Sequence, residues 1–412
     1  MQNIPDQVKN SLQSLESYLD KYGLAGYDPY DALNSRFIHA VSRHSRILRL
    51  VFTQFLKRFP VNFRPLLGVK KGFNPKGMGL FLSAYLKLYS IYGDSKYIKK
   101  AEEIIEFLKS THSEGYSGFC WGYNFDWQSE TDLTPKYTPT IVNTVFIADA
   151  LLDAYDIIKK KEYLDMARSA CDFILNDLYI LHSSQGICFS YTPLDPIKIH
   201  NANVLGGALL ARVYSYSREK ILQSMAKLSV EYTMFHQNPD GSWYYGVSKK
   251  NEGLWKKGNK SFQDEGDSGY VKYIDGYHTG FVLDSLWAYT AHTKDNIYRK
   301  QIKKGLQFYA EHFFLNDGTP KYFFHKTYPV DIHSIQAVIT FSKLYPLQPY
   351  DELMHRVIKW SINQMQDAAG YFYYRKGKFW KNKIPYIRWS QAWAFLALST
   401  YIKFLGTRKN DN

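Results

Sequence analysis

Apolar residues recur at the i, i+3, i+4 spacing of amphipathic helices through most of this 412-residue chain, and the connections between those helices alternate between short and long. The pattern predicts helices over 36–58, 77–92, 95–110, 139–157, 160–178, 200–216, 218–236, 278–292, 295–312, 331–345, 350–366 and 387–404. Turns as brief as Tyr92-Gly93-Asp94-Ser95 join some pairs, whereas long Gly-, Trp-, Tyr- and Asp-rich loops at 111–138, 179–199, 237–277, 313–330 and 367–386 join the others. Strand-like alternation is confined to short aromatic pieces such as Gly370 to Tyr374. Helices paired as hairpins, with first members starting near 77, 139, 200, 278, 331 and 387, repeat every ~50 to 80 residues, as helical-hairpin repeats do. Six hairpins closed on themselves give an all-α fold, an (α/α)6 toroid forming one domain over 36–412. Residues 1–35 then form an irregular N-terminal arm on the barrel or near its mouth. An open solenoid would have more uniform loops and polar caps at both ends. Closure brings all five long loops to one rim, where binding and chemistry concentrate on a rigid scaffold.

Composition narrows what that rim can do. Aromatic residues make up 17% of the chain, with 35 Tyr, 26 Phe and 9 Trp, which suits both a core and a cleft that stacks against sugar rings. The formal charge of +14 favours anionic partners, but the basic residues fall mostly at helix ends and turns, as a solvated surface does. No nucleic-acid-binding signature occurs. Three cysteines, Cys120, Cys171 and Cys188, lack metal-ligand spacing and are odd in number, so the chain is expected to use no metal and no cofactor and to reside in the cytoplasm. Met1 to Asp20 lacks an apolar signal region, and no stretch is long and apolar enough for an integral membrane segment.

The loops supply the candidate chemistry. Loop 111–138 carries Trp121, Trp127 and Gln128 around Asp126, aromatic plates and hydroxyl-binding groups of the kind saccharides need. At the helix start His200-Asn201-Ala202-Asn203, one Asn is expected to cap the helix and Asn203 to face the lumen. Loop 237–277 and the helix after it place Asp264, Glu265, Asp267, Asp275 and His278 within 15 residues of an otherwise basic chain, and a His beside carboxylates at a helix start can act as general acid or base. Tyr277 precedes that His. Farther on, His333 and Gln336 share a helix face behind the N-cap Asp331, and the last inner helix opens with Arg388, Trp389 and Gln391, a carboxylate clamp, a stacking plate and a polar group. Gln237 to Trp243 matches a Gln-Trp turn that ties helix ends together in several helical toroids, including terpene cyclases; the Asp-rich motif of cyclase chemistry is absent.

The stretches GYDPYDALNS (26–35), CWGYNFDWQS (120–129), TPTIVNT (138–144), HNANVLGGALLA (200–211), IDGYHTGFVLDSL (274–286), YPVDIHSIQA (328–337) and RWSQAWAFLAL (388–398) resemble polysaccharide-locus proteins of the VpsJ type, in the six-hairpin glycosidase-like superfamily. Tyr277-His278-Thr279 is also distantly similar to the helical domain of glucuronyl epimerases. The resemblance implies a carbohydrate-active enzyme of exopolysaccharide or O-antigen metabolism acting on an anionic saccharide. The leading expectation is a glycoside hydrolase-like enzyme, in which hydrolysis would use Asp275 with Asp126 or Asp264. Epimerisation or elimination at a uronic acid would use His278, Tyr277 and Arg388, and a non-catalytic glycan-binding or assembly factor is the third reading.

Overall fold

A computed structural model of the chain describes residues 4–129, 133–247, 261–263, 270–271 and 273–410. Its helices are α1 (Ile4–Tyr22), α2 (Arg36–Ser42), α3 (Arg46–Arg58), α4 (Pro75–Tyr92), α5 (Ser95–Ser110), α6 (Ile141–Ile158) and α7 (Lys161–Asn176). There follow α8 (His200–Ser217), α9 (Lys220–Phe235), α10 (Gly276–Thr293), α11 (Arg299–His312), α12 (Ala337–Lys343), α13 (Asp351–Met365) and α14 (Ala392–Asn410). They form the (α/α)6 toroid. The inner ring is α4, α6, α8, α10, α12 and α14, and burial separates the rings. α8 is buried at every position from His200 to Tyr214, whereas the outer α5 buries one stripe, Tyr97, Ala101, Ile104, Ile105 and Leu108.

Four of the five turns from inner to outer helix begin with a left-handed residue, Gly93 (φ 68°), Lys159 (64°), Arg218 (59°) and Lys294 (64°); the α12–α13 turn does not. A left-handed residue lets its N–H satisfy a terminal helix carbonyl, which explains why the chain reverses so tightly. The Gln-Trp turn is structural, as its sequence implies: Gln237 Nε2 donates to Gly241 O and Gln301 O, both at 3.0 Å, and buried Trp243 donates to Thr233 O at 2.9 Å. The same turn recurs where Gln366 Nε2 donates to Gly370 O at 2.9 Å.

The N-terminal segment departs from the expected irregular arm. α1 buries Val8, Leu12, Leu15 and Leu19 and is the sixth outer helix. It is tied to α13 by Gln7 to Asn363 (2.5 Å) and to α5 by Lys100 to Asp20 (2.5 Å), so the start of the chain closes the ring. Residues 36–58 instead break into α2 and α3, which sit on the rim beside the mouth: Lys57 Nζ donates to Tyr30 Oη at 2.5 Å and Arg49 Nε to Gln128 Oε1 at 2.6 Å. The long loops fold into small sheets, among them Val330–Asp331 with Arg375–Lys376 and Lys381–Asn382.

Two inner helices are deformed at the mouth. Ile332–Gln336 is a 3-10 turn ahead of α12, and Ile387–Gln391 is a π turn ahead of α14, in which Tyr386 O accepts from both Ser390 N (3.0 Å) and Gln391 N (3.2 Å). The first is tighter than an α-helix and the second wider, and π turns inside helices are frequent at functional sites.

Candidate active site

The toroid mouth encloses a cavity of about 240 Å³, below the roughly 300–1,000 Å³ of drug-sized ligand pockets, which fits one or two sugar rings rather than a threaded polymer. A larger groove of about 620 Å³ lies on the outer wall between α9 and the hairpin around Ser183 to Ile187; among the described residues its acid-base groups are His182 and Glu231. The mouth is walled by tyrosines, including Tyr30, Tyr123, Tyr191, Tyr245, Tyr273 and Tyr322, with Trp127 and Trp389 among the other rings. Its ionic groups are Lys76, His278, His333 and Arg388; among the described residues no carboxylate lines it.

The carboxylates lie one layer behind, each bound to a group that does line the cavity. Asp275 caps α10 by accepting from His278 N at 2.9 Å through Oδ1, while its Oδ2 meets His278 Nδ1 at 2.6 Å. One side chain thus starts the helix and orients the imidazole, which keeps 21% of its side chain exposed. Asp331 plays the same part at the next inner element, accepting from His333 N (3.0 Å), Trp389 Nε1 (2.7 Å) and Arg375 Nε (2.8 Å). Asp28, brought in by the segment after α1, holds Arg388 in a bidentate pair at 2.6 and 2.8 Å, which leaves Arg388 Nη1 without a partner among the described residues.

His333 differs from His278. Neither of its ring nitrogens has a partner among the described residues, it is 2% exposed, and its ring stacks on Tyr277 with centroids 4.6 Å apart. Burial, with the positive charge of Lys76 and Arg388, holds its pKa well below the ordinary value, so it is a neutral imidazole at physiological pH. Lys76, on the first turn of α4, is buried over the Phe146 ring at 4.4 Å with no ion pair among the described residues. Burial and the neighbouring Arg388 push its pKa well down. Its place next to Arg388 depends on Gly77, where a Cβ would lie 3.2 Å from Arg388 Cβ. Asp28 is taken up by Arg388, and Lys76 beside it has no ion partner among the described residues, so the cavity favours a ligand that carries negative charge.

Of the residues singled out in the sequence, His278, Tyr277, His333, Arg388, Trp389 and Trp127 line this one cavity, with Asp275 directly behind His278. Others are corrected. Asp126 is spent on its own loop, accepting from Lys136 N at 2.7 Å. Trp121 is fully buried, donating to Leu108 O at 2.8 Å. Gln128 is buried against Arg49, and Gln391 bridges both backbone groups of Phe372 at 2.8 Å. Gln336 lies below the cavity on Thr340 (2.7 Å), where it fills the space a Cβ on Gly280 would need. The lumenal asparagine is the other one: Asn203 is buried, accepting from Phe189 N (3.0 Å) and donating to Ser229 O (2.9 Å), whereas Asn201 lines the cavity with its Oδ1 unpartnered among the described residues. Neither caps α8, whose N-cap is Ile199. Asp264, with Glu265 and Asp267, lies outside the described residues. Sequence reasoning missed Lys76, which reads as one more surface lysine, and Asp28, whose partner is 360 residues away.

No family model matches the chain, and no curated protein matches it in sequence. Solved structures do. An unsaturated glucuronyl hydrolase specific for heparin superposes with a TM-score of 0.63 at 13% identity, covering 98% of each chain. The cellobiose 2-epimerase of Bacillus thermoamylovorans gives 0.62 at 12% identity over 95% of this chain and 98% of its own. A family GH76 α-mannanase from Bacteroides thetaiotaomicron gives 0.60 at 14% identity over 84% and 90%. The chain shares their toroid fold. At such identities the likeness is one of architecture, and the chemistry has to be argued from the cavity.

Proposed function

We propose that this chain is a carbohydrate-active enzyme that moves a proton at a ring carbon of an anionic sugar, an epimerase- or isomerase-type reaction, in polysaccharide metabolism. The observation that carries this reading is that two histidines, and no described carboxylate, line the cavity. Proton abstraction next to a carbonyl needs a base, an acid to return the proton, and positive charge where the oxyanion develops. His333, neutral and unpartnered, serves as one acid-base group, and His278, held on Asp275, as the other. Lys76 and Arg388 hold the substrate's anionic group or the developing oxyanion, and Trp389 and Trp127 give the ring a flat apolar wall.

Hydrolysis is less well supported, because it requires two carboxyl groups facing the bond, roughly 5 to 10 Å apart. Asp28, Asp275 and Asp331 are all engaged behind other side chains, and Asp126 is turned into its loop. The architecture occurs in proteins named as epimerases and as hydrolases alike, so it does not choose between them. The place in exopolysaccharide or O-antigen assembly, and in the cytoplasm, rests on the VpsJ-type resemblance and on three buried free thiols, Cys120, Cys171 and Cys188, which suit a reducing compartment.

The test is to incubate the protein in D2O with a panel of uronic acids and sugar phosphates and follow ring protons by NMR. Solvent deuterium entering one ring carbon, with no bond to a neighbouring sugar broken, is the expected result. Release of reducing ends from a glycan without deuterium entry would overturn it.

A further inference from the structure

The rim beside the mouth carries an apolar surface that no described element covers. On α3, Ile47, Val51 and Phe55 recur at i, i+4 spacing on the outward face and the exposed C-cap residue Phe59 follows them, with Ile47 68% and Val51 54% exposed, while Thr53 and Leu56 face the protein. Solvent-facing residues of a helix are ordinarily polar, and an outward stripe of this kind marks an interaction site. The hairpin Arg375–Lys376 to Lys381–Asn382 projects next to it, tied to α3 by Asn382 Nδ2 donating to Phe59 O at 3.0 Å. Its tip exposes Phe379 (88%) and Trp380 (46%).

Both segments are basic and free of acid. The sequence has no Asp or Glu between Asp31 and Asp94, nor between Asp367 and Asp411. Exposed Arg46, Arg58, Lys378 and Lys381 flank the apolar groups. A second copy of the chain docked on this face would bring cations against cations, which disfavours self-association. An apolar stripe with a Trp at its edge and a surround of Lys and Arg matches instead the hydrocarbon boundary and anionic headgroups of a bilayer surface.

We propose that α3 and the Phe379-Trp380 hairpin form a peripheral binding face for an anionic phospholipid membrane, holding the toroid mouth beside the bilayer. No described helix is long and apolar enough to cross a membrane, so the contact is interfacial. Tyr30, which lines the cavity, is bonded to Lys57 of the same helix, so a membrane-attached saccharide would be presented next to the site.

The experiment is cosedimentation of the full chain with vesicles of three parts phosphatidylcholine to one part phosphatidylglycerol, against vesicles of phosphatidylcholine alone. Binding is expected to the anionic vesicles and to weaken with added salt. A basic residue beside an anionic surface contributes about fivefold in partitioning, so Arg46→Gln with Arg58→Gln should lower it about 25-fold. Phe379→Ser with Trp380→Ser should lower it at constant charge. These side chains are exposed, so unchanged circular dichroism and melting temperature verify folding. Absence of vesicle binding, or binding that ignores both pairs of substitutions, overturns the proposal. So does a dimer in solution that Ile47→Ser with Val51→Ser dissociates.

Discussion

Removing the carboxylate of Asp28 tests how the ring and the site depend on each other. Asp28 and Arg388 are 4% and 3% exposed and joined by two short hydrogen bonds, so Asp28→Asn leaves a buried guanidinium without its counter-charge. Breaking one side of such a pair costs about 3–5 kcal/mol. An unfolding entropy of roughly 2.1 cal/mol/K per residue over 412 residues is about 0.9 kcal/mol/K, so the melting temperature should fall by about 3–6 °C. Differential scanning calorimetry measures the shift. The double variant Asp28→Asn with Arg388→Met, which removes both charges, should recover at least half of the loss, because the cost lies in the unpaired charge rather than in the pair. A fall below one degree for Asp28→Asn, or no recovery in the double variant, refutes the reasoning that Asp28 fixes the cation in the mouth.

Four further outcomes follow from the geometry. Asp275→Asn keeps a good N-cap but replaces a charge-assisted bond to His278 by a neutral one, so turnover should fall about ten- to 150-fold with the melting temperature nearly unchanged; an equal loss of both would reduce Asp275 to a cap. Because burial and neighbouring cations depress the pKa of His333, the acid limb of kcat/KM should lie below pH 6.5, with activity lost as pH falls and the base gains its proton. Lys76, also depressed, should give an alkaline limb below that of an ordinary lysine, and Lys76→Met should abolish that limb while raising KM; a pH profile unmoved by the substitution counts against its role. Lys294→Gly, at φ 64°, should stabilise the protein by about 0.5–1 kcal/mol in denaturant unfolding, since glycine occupies the left-handed region without a Cβ penalty.

The hairpin repeat was legible because an inner helix must be apolar on all sides and an outer one on a single stripe, and both patterns survive in sequence. α1 shows the limit: its stripe of Val8, Leu12, Leu15 and Leu19 is as clear as any other, but its partners α13 and α14 lie at the far end of the chain, and sequence order hides a ring closed by its ends. At the site, His278 and Asp275 were legible because one residue serves as cap and orienting base three positions away. That Asn201 rather than Asn203 turns inward was not legible, because a strand leads directly into α8, so no side-chain cap exists to fix which amide does. Trp121 and Gln391 are polar-tipped residues whose partners are backbone groups elsewhere in the fold, Leu108 O at the end of α5 and both backbone groups of Phe372, and nothing local distinguishes them from ligand-binding residues. Lys76 acquires its meaning only from the rings and the Arg388 that surround it.

In the proposed reaction one anionic sugar sits between His278 and His333. A crystal structure with a bound uronic acid tests it most directly: the anionic group should lie on Arg388 and Lys76, with nitrogens of His278 and His333 roughly 3–3.5 Å from reacting atoms of the sugar. A glycosidic oxygen flanked instead by two carboxylates, or a sugar bound on the outer wall away from both histidines, would contradict it.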